Sequence, residues 1–229
     1  MVSIWEKETF YAPQDIIIVG SGFVGLWCAF QLKKKNPVLK ITVVDRGIIP
    51  TGASTRNAGF ACFGSLSEVI YDAQTMGTDK MLQLVEMRFK GLERIQKHFD
   101  KDRIDFDLCG GYELYDFSDK FSLEQLKQNI DYINSLFKPI TGKKKTYKPV
   151  DEKISEFGFG HTKHLLKNNS EGYLHSGKFI QALLSKVQGM GVQVFNQTEI
   201  KSFENRDDKI ELKTNHSFRL STRQLLVCI

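Results

Sequence analysis

Three glycines, Gly20, Gly22 and Gly25, stand in the stretch Asp15-Ile-Ile-Ile-Val-Gly-Ser-Gly-Phe-Val-Gly-Leu26. Their G-x-G-x-x-G spacing follows an apolar run and opens a helix-forming one, the order in which strand, tight turn and helix hold a dinucleotide. Each glycine has its own task. Gly20 permits the sharp turn, Gly22 lets backbone approach a pyrophosphate, and Gly25 lets helix and strand pack closely. The diphosphate would rest on the unpaired N–H groups at the positive end of the helix that starts at Phe23 and Val24. Asp45, twenty residues after Gly25, completes the pattern, because an acid at the tip of the next strand accepts hydrogen bonds from ribose hydroxyls.

Elements must put these groups in place, and the local sequence supplies them. Residues 16–19 read as a buried strand and residues 23–35 as a helix. Lys33, Lys34 and Lys35 suit the negative end of that helix, and Pro37 stops it. Ile41-Thr-Val-Val44 is a second buried strand and delivers Asp45 and Arg46. A long loop of small and polar residues follows, giving a ligand close access to backbone and hydroxyl donors.

The chain as a whole is ordinary for a globular protein. Its 229 residues, 41% hydrophobic and 26% charged, hold one large domain or two small ones with a sizeable core. A net charge of +5 suits an anionic cofactor and is too modest and scattered to argue for nucleic acid. The four cysteines form no C-x-x-C and no metal-ligand spacing, which reads as reduced thiols in a cytoplasmic protein. No metal site is expected, and no apolar run approaches the roughly 20 residues of a membrane span.

The segment Gly52-Ala-Ser-Thr-Arg-Asn-Ala-Gly-Phe60 narrows the dinucleotide to one kind. It resembles the second flavin-contacting segment of FAD-dependent oxidoreductases of the D-amino-acid oxidase/glycine oxidase type. The resemblance implies FAD as cofactor, bound by Gly20, Gly22, Phe23, Val24, Gly25, Asp45 and Arg46. It adds Ser54, Thr55, Arg56, Asn57 and Gly59 as neighbours of the pyrophosphate and flavin ring, and the backbone of Ile200 as an adenine contact. Cys62 is read as a small buried thiol, with covalent flavin attachment as the alternative.

Beyond the loop, Met81, Leu84, Val85, Arg88, Leu92, Ile95 and Phe99 form a helical stripe that Thr78 or Asp79 could cap. Residues 104–116 read as strands bent at Gly110 and Gly111, with Tyr112 and Tyr115 facing either substrate or sheet. Ser122-Leu-Glu-Gln125 is a capping box for a helix that ends before Pro139. Lys143 to Lys148 reads as a solvated basic loop. Glu171-Gly-Tyr-Leu-His-Ser176 resembles the family's return into the cofactor domain, where Ser176 can cap a helix that runs to Gly189. A strand at 192–195, an antiparallel meander and a strand at 224–229, buried on both faces, close the pattern.

The expected fold is therefore α/β. A glutathione-reductase-like FAD-binding Rossmann domain comprises residues 1–65 and 172–229, and an inserted α+β substrate-domain portion comprises 66–171. The family's C-terminal part is expected to be missing, so that the 229 residues alone are inactive. The implied activity of the complete protein is oxidation of a C–N bond in an amino acid or secondary amine, by hydride transfer to flavin N5. No catalytic side chain is assigned, since a neutral amine needs no general base. A flavin-dependent tRNA-modification enzyme and a non-catalytic flavin-binding fragment are the alternatives.

Overall fold

The computed structural model describes residues 2–118, 122–216 and 218–229. The chain divides into two compact units, Met1–Ala58 with Ser176–Ile229, and Gly59–His175. Helix α1 (Ile4–Glu8) opens the first unit and is capped by Ser3 in a reciprocal box with Glu6. Strand β1 (Gln14–Val19) is almost wholly buried, with Ile17 and Ile18 sealed from solvent. Helix α2 (Phe23–Lys35) follows the glycine turn, and strand β2 (Ile41–Val44) is buried at every position. Lys33 is itself buried and turns its ammonium onto the carbonyls of Pro37 and Leu39, which shapes the return from α2 to β2.

The second unit begins with β3 (Phe60–Ala61) and helices α3 (Leu66–Met76), α4 (Thr78–His98) and α5 (Lys101–Ile104). Strand β4 (Gly111–Asp116), helix α6 (Leu123–Thr141), strand β5 (Tyr147–Pro149) and helix α7 (Lys153–Glu156) come next. Strands β6 (Thr162–Asn168) and β7 (Gly172–Tyr173) complete it. The order β4-β6-β5 makes an antiparallel three-stranded sheet, and β3 pairs with β7. Met81 and Val85 of α4, Leu126, Ile130, Ile133 and Phe137 of α6, and Tyr147 and Leu165 fill the core.

Several local expectations are corrected in this unit. Helix α3 is not among the expected elements, and Ser65 caps it by accepting from Glu68 N. Gly77 (φ 88°) therefore ends one helix and begins the next, so Thr78 and Asp79 lie inside α4 and neither caps it. Ile104 belongs to α5, and the strand starts only at Gly111, after Gly110 at φ +96°. Pro139 lies within the last turn of α6, because the helix continues to Thr141 before Gly142 ends it in the left-handed region. Thr146 and Tyr147 are buried, so the basic stretch is not wholly a solvated loop. Cys62 is exposed rather than buried.

The chain re-enters the first unit at helix α8 (Ser176–Gly189), followed by β8 (Gln193–Phe195), β9 (Ile200–Arg206), β10 (Lys209–Thr214) and β11 (Arg219–Val227). Ser176 sits within the helix, where its hydroxyl donates to Asn57 Oδ1. One six-stranded sheet has the order β8-β2-β1-β11-β10-β9. Strands β8, β2, β1 and β11 are parallel, and β10 and β9 continue the sheet antiparallel. The meander and the last parallel strand are thus one structure: β11 pairs with β10 over its first half and with β1 from Thr222 onward. Its far end is not buried on both faces, and Val227 is 60% exposed.

Candidate cofactor site

A cavity of about 730 Å³ opens where β1, β2 and β11 end. In parallel α/β sheets, ligands bind outside the carboxyl ends of the strands, beside the point where strand order reverses. Here β2 leaves β1 on one side and β11 joins it on the other. The backbone knits these ends together: Gly20 N donates to Val44 O, Asp45 N to Phe195 O and Cys228 N to Val19 O, all at 2.8–2.9 Å.

Sterics require Gly20 and Gly25 and crowd Gly22. Gly20 has φ +106°, and a Cβ there would overlap the Cys228 carbonyl. A Cβ on Gly25 would overlap the Gly20 carbonyl, so any side chain would push α2 off its strand. A Cβ on Gly22 would come within 2.9 Å of Ser54 Oγ. Gly22 is the N-cap of α2 and offers no side chain, so that helix end needs a partner from elsewhere. Ser54 provides it, accepting from Phe23 N at 2.9 Å. Its oxygen being used as an acceptor, the Ser54 O–H remains to donate to an anion.

Asp45 is held from two sides. Its Oδ2 accepts from the Ser21 amide at 2.7 Å and the Ser21 hydroxyl at 2.6 Å, and its Oδ1 accepts from Gly47 N at 2.8 Å. Gly20, Gly22, Phe23, Val24, Asp45, Arg46, Ser54 and Ile200 all line the cavity. The lining also includes Thr198 and Cys228, which sequence alone did not single out. Thr198 N donates to Asp45 O at 2.8 Å, a long-range link with no local signal.

The remaining candidates do other things. Gly25 serves the contact between helix and strand. Thr55 gives its hydroxyl to Pro50 O at 3.0 Å, closing the loop on itself. Asn57 donates to Ala53 O and Ser54 O and accepts from Ser176, so it fixes the backbone that carries Ser54. Arg56 is exposed. Gly59 belongs to the second unit, where its carbonyl accepts from Leu174 N at 2.9 Å.

This donor set fits the diphosphate half of a dinucleotide. A helix N-terminus with one amide capped by Ser54, a hydroxyl with a free proton and a glycine whose missing Cβ leaves room suit phosphate oxygens, and a carboxylate suits ribose.

In the second unit, a buried carboxyl organises the backbone after β3. Glu171 Oε1 accepts from Phe63 N at 2.8 Å and Gly64 N at 3.1 Å. Burial pushes its pKa up to about 7; the two amides oppose that rise, and Glu113 and Glu68 add to it. Glu113 accepts from Leu66 N and Ser67 N at the start of α3, and the Tyr147 hydroxyl donates to Gly64 O. Burial also raises the Tyr147 pKa well above its ordinary value. Of the two tyrosines of β4, Tyr115 packs in the sheet, whereas Tyr112 is 39% exposed with the Lys167 ammonium 5.4 Å from its ring centre.

Known proteins agree with this fold. A probable oxidoreductase, OrdL, of Haemophilus influenzae is 25% identical over 218 residues, 93% of this chain and 48% of its own length. L-proline dehydrogenase from P. horikoshii superposes with a TM-score of 0.70 at 18% identity, covering 94% of this chain and 52% of that one. Glycine oxidase from Geobacillus kaustophilus gives 0.67 at 16% identity, covering 94% and 55%. The chain spans about half the length of these relatives. Among the described residues, no helix is long and apolar enough to cross a membrane. The family model for FAD dependent oxidoreductases matches residues 15–228, and the chain belongs to that family.

Proposed function

We propose that the protein holds FAD in the cavity at the ends of β1, β2 and β11 and oxidises a C–N bond of an amino acid or secondary amine. The observation that carries this reading is the meeting of four groups in one cavity: the glycine turn, the start of α2, the Asp45 carboxylate and the Ser54 hydroxyl. In this reading Gly20, Gly22, Phe23 and Val24 surround the pyrophosphate, with Ser54 donating to it. Asp45 receives ribose, Arg46 flanks the phosphates, and the backbone of Ile200 meets adenine. Thr55 and Asn57 act by shaping the loop, and Arg56 and Gly59 belong to its flavin-facing part. The unit Gly59–His175 is the substrate-domain portion.

FAD supplies a two-electron acceptor for the hydride that leaves the carbon next to nitrogen. The side chains bind and orient. A neutral amine carries its own lone pair into the developing C=N bond, so no protein base is required at that carbon, and water hydrolyses the product imine. The choice of a C–N bond is supported by similarity in fold to a proline dehydrogenase and a glycine oxidase. Anaerobic mixing of the flavin-loaded protein with glycine, proline, D- and L-amino acids and N-methyl amino acids tests it. Bleaching of the oxidised flavin absorbance by at least one of them is expected; bleaching by none would refute the amine reading.

A further inference from the structure

Ser21, between the first two glycines of the turn, is sealed from solvent and spends both its donors on one atom. Its N–H and its hydroxyl go to Asp45 Oδ2 at 2.7 and 2.6 Å. The other oxygen, Oδ1, takes Gly47 N at 2.8 Å. A carboxylate offers about four lone-pair sites. Three are filled from within the protein, and the open one lies on Oδ1.

The Ser21 bonds are not readily given up. The hydroxyl-to-carboxylate bond is charge-assisted, among the stronger kinds of hydrogen bond. A buried hydroxyl that released Asp45 would have no water to turn to, and an unpaired buried donor is costly. An arriving ribose therefore meets a carboxylate with one position to offer. We propose that Ser21 restricts Asp45 to a single ribose hydroxyl, accepted on Oδ1, so that this protein grips its cofactor's adenosine by one hydroxyl instead of the vicinal pair. This rests on the reading that the cavity holds FAD with Asp45 at the ribose.

The test uses ADP, 2′-deoxy-ADP and 3′-deoxy-ADP as probes, titrated calorimetrically into the wild-type protein and Ser21→Ala. In the wild type, one deoxy analogue should bind about tenfold more weakly than ADP, while the other stays within about twofold. In Ser21→Ala a lone pair on Oδ2 is released, and both analogues should then bind more weakly than ADP. Equal losses for the two analogues in the wild type would overturn the proposal, whatever the variant does. An unchanged pattern in folded Ser21→Ala would overturn the role of Ser21. If neither deoxy analogue loses affinity, Asp45 does not serve the ribose and the proposal falls while the cavity assignment stands. If ADP itself does not bind, the cavity assignment falls.

Discussion

The buried carboxyl of Glu171 should make this protein less stable as pH rises through neutrality, and Glu171→Gln should remove the effect. Unfolded, the side chain titrates near its ordinary value of 4.5; folded, at about 7. The folded state thus holds the proton to higher pH. Between the two values the unfolded chain ionises while the native chain does not, so ionisation draws the equilibrium toward unfolding. The stabilisation is complete below about pH 4.5 and lost as pH climbs through about 7. At about 1.36 kcal/mol per pH unit, the whole effect is about 3 kcal/mol, most of it spent between about pH 5 and pH 8. Glutamine keeps a carbonyl oxygen for the Phe63 and Gly64 amides but has no charge to desolvate. Urea denaturation at a series of pH values, followed by circular dichroism, reads the difference. With a slope of about 2–3 kcal/mol per molar urea, the wild-type midpoint should fall by about 1 M relative to Glu171→Gln across that range. A wild-type-minus-variant difference that stays constant from about pH 5 to pH 8 would refute the reasoning, since no other group changes between the two proteins.

Three further outcomes follow from the cofactor site. Ser54→Ala removes the only side-chain acceptor described for the N-terminus of α2 and should lower stability by about 1 kcal/mol in urea denaturation. Asp45→Ala should weaken FAD binding about ten- to a hundredfold in a fluorescence titration of the folded variant, the loss of a hydrogen bond to a charged group; unchanged affinity would remove Asp45 from the site. Gly25→Ala should fail to fold or bind flavin stoichiometrically, judged by the ratio of flavin to protein absorbance, because the new methyl would occupy the position of the Gly20 carbonyl.

The first half of the candidate site was legible because its signals are local. A strand, glycines at fixed spacing, a helix and an acid at the next strand tip fall within residues 14–45, and the structure places elements at Gln14–Val19, Phe23–Lys35 and Ile41–Val44. The helix α3 was equally local, announced by Ser65 and Glu68 three residues apart, but the stretch between Gly64 and the stripe at Met81 carries no expected element. Ser54 is different. Its loop could be associated with a ligand, yet its cap on Phe23 bridges 31 residues and exists only once the chain is folded. Glu171 is harder still, because nothing in its neighbours reveals that Phe63 and Gly64 will aim two amides at it across more than a hundred positions. Strand β11 was divided in two for a related reason: its pairing changes from antiparallel to parallel partway along, and only the partners carry that information.

The bond between Asn57 and Ser176 bears on the ancestry and modularity of the molecule. These residues flank the point where the chain departs from the first unit and the point where it returns. Within the other unit, Phe60 and Tyr173 pair in the same way as its own first and last strands. Each unit therefore closes its own circuit, with its ends side by side. Exit and return so close together are the architecture of an insertion, in which a whole body of chain can be exchanged, enlarged or deleted at a single surface turn without rerouting the host. The inserted unit can then change by replacement of one cassette while the sheet that carries the glycine turn is inherited unchanged. A short flexible bridge from Asn57 to Ser176 in place of the intervening residues should leave a six-stranded sheet that still recognises adenosine diphosphate.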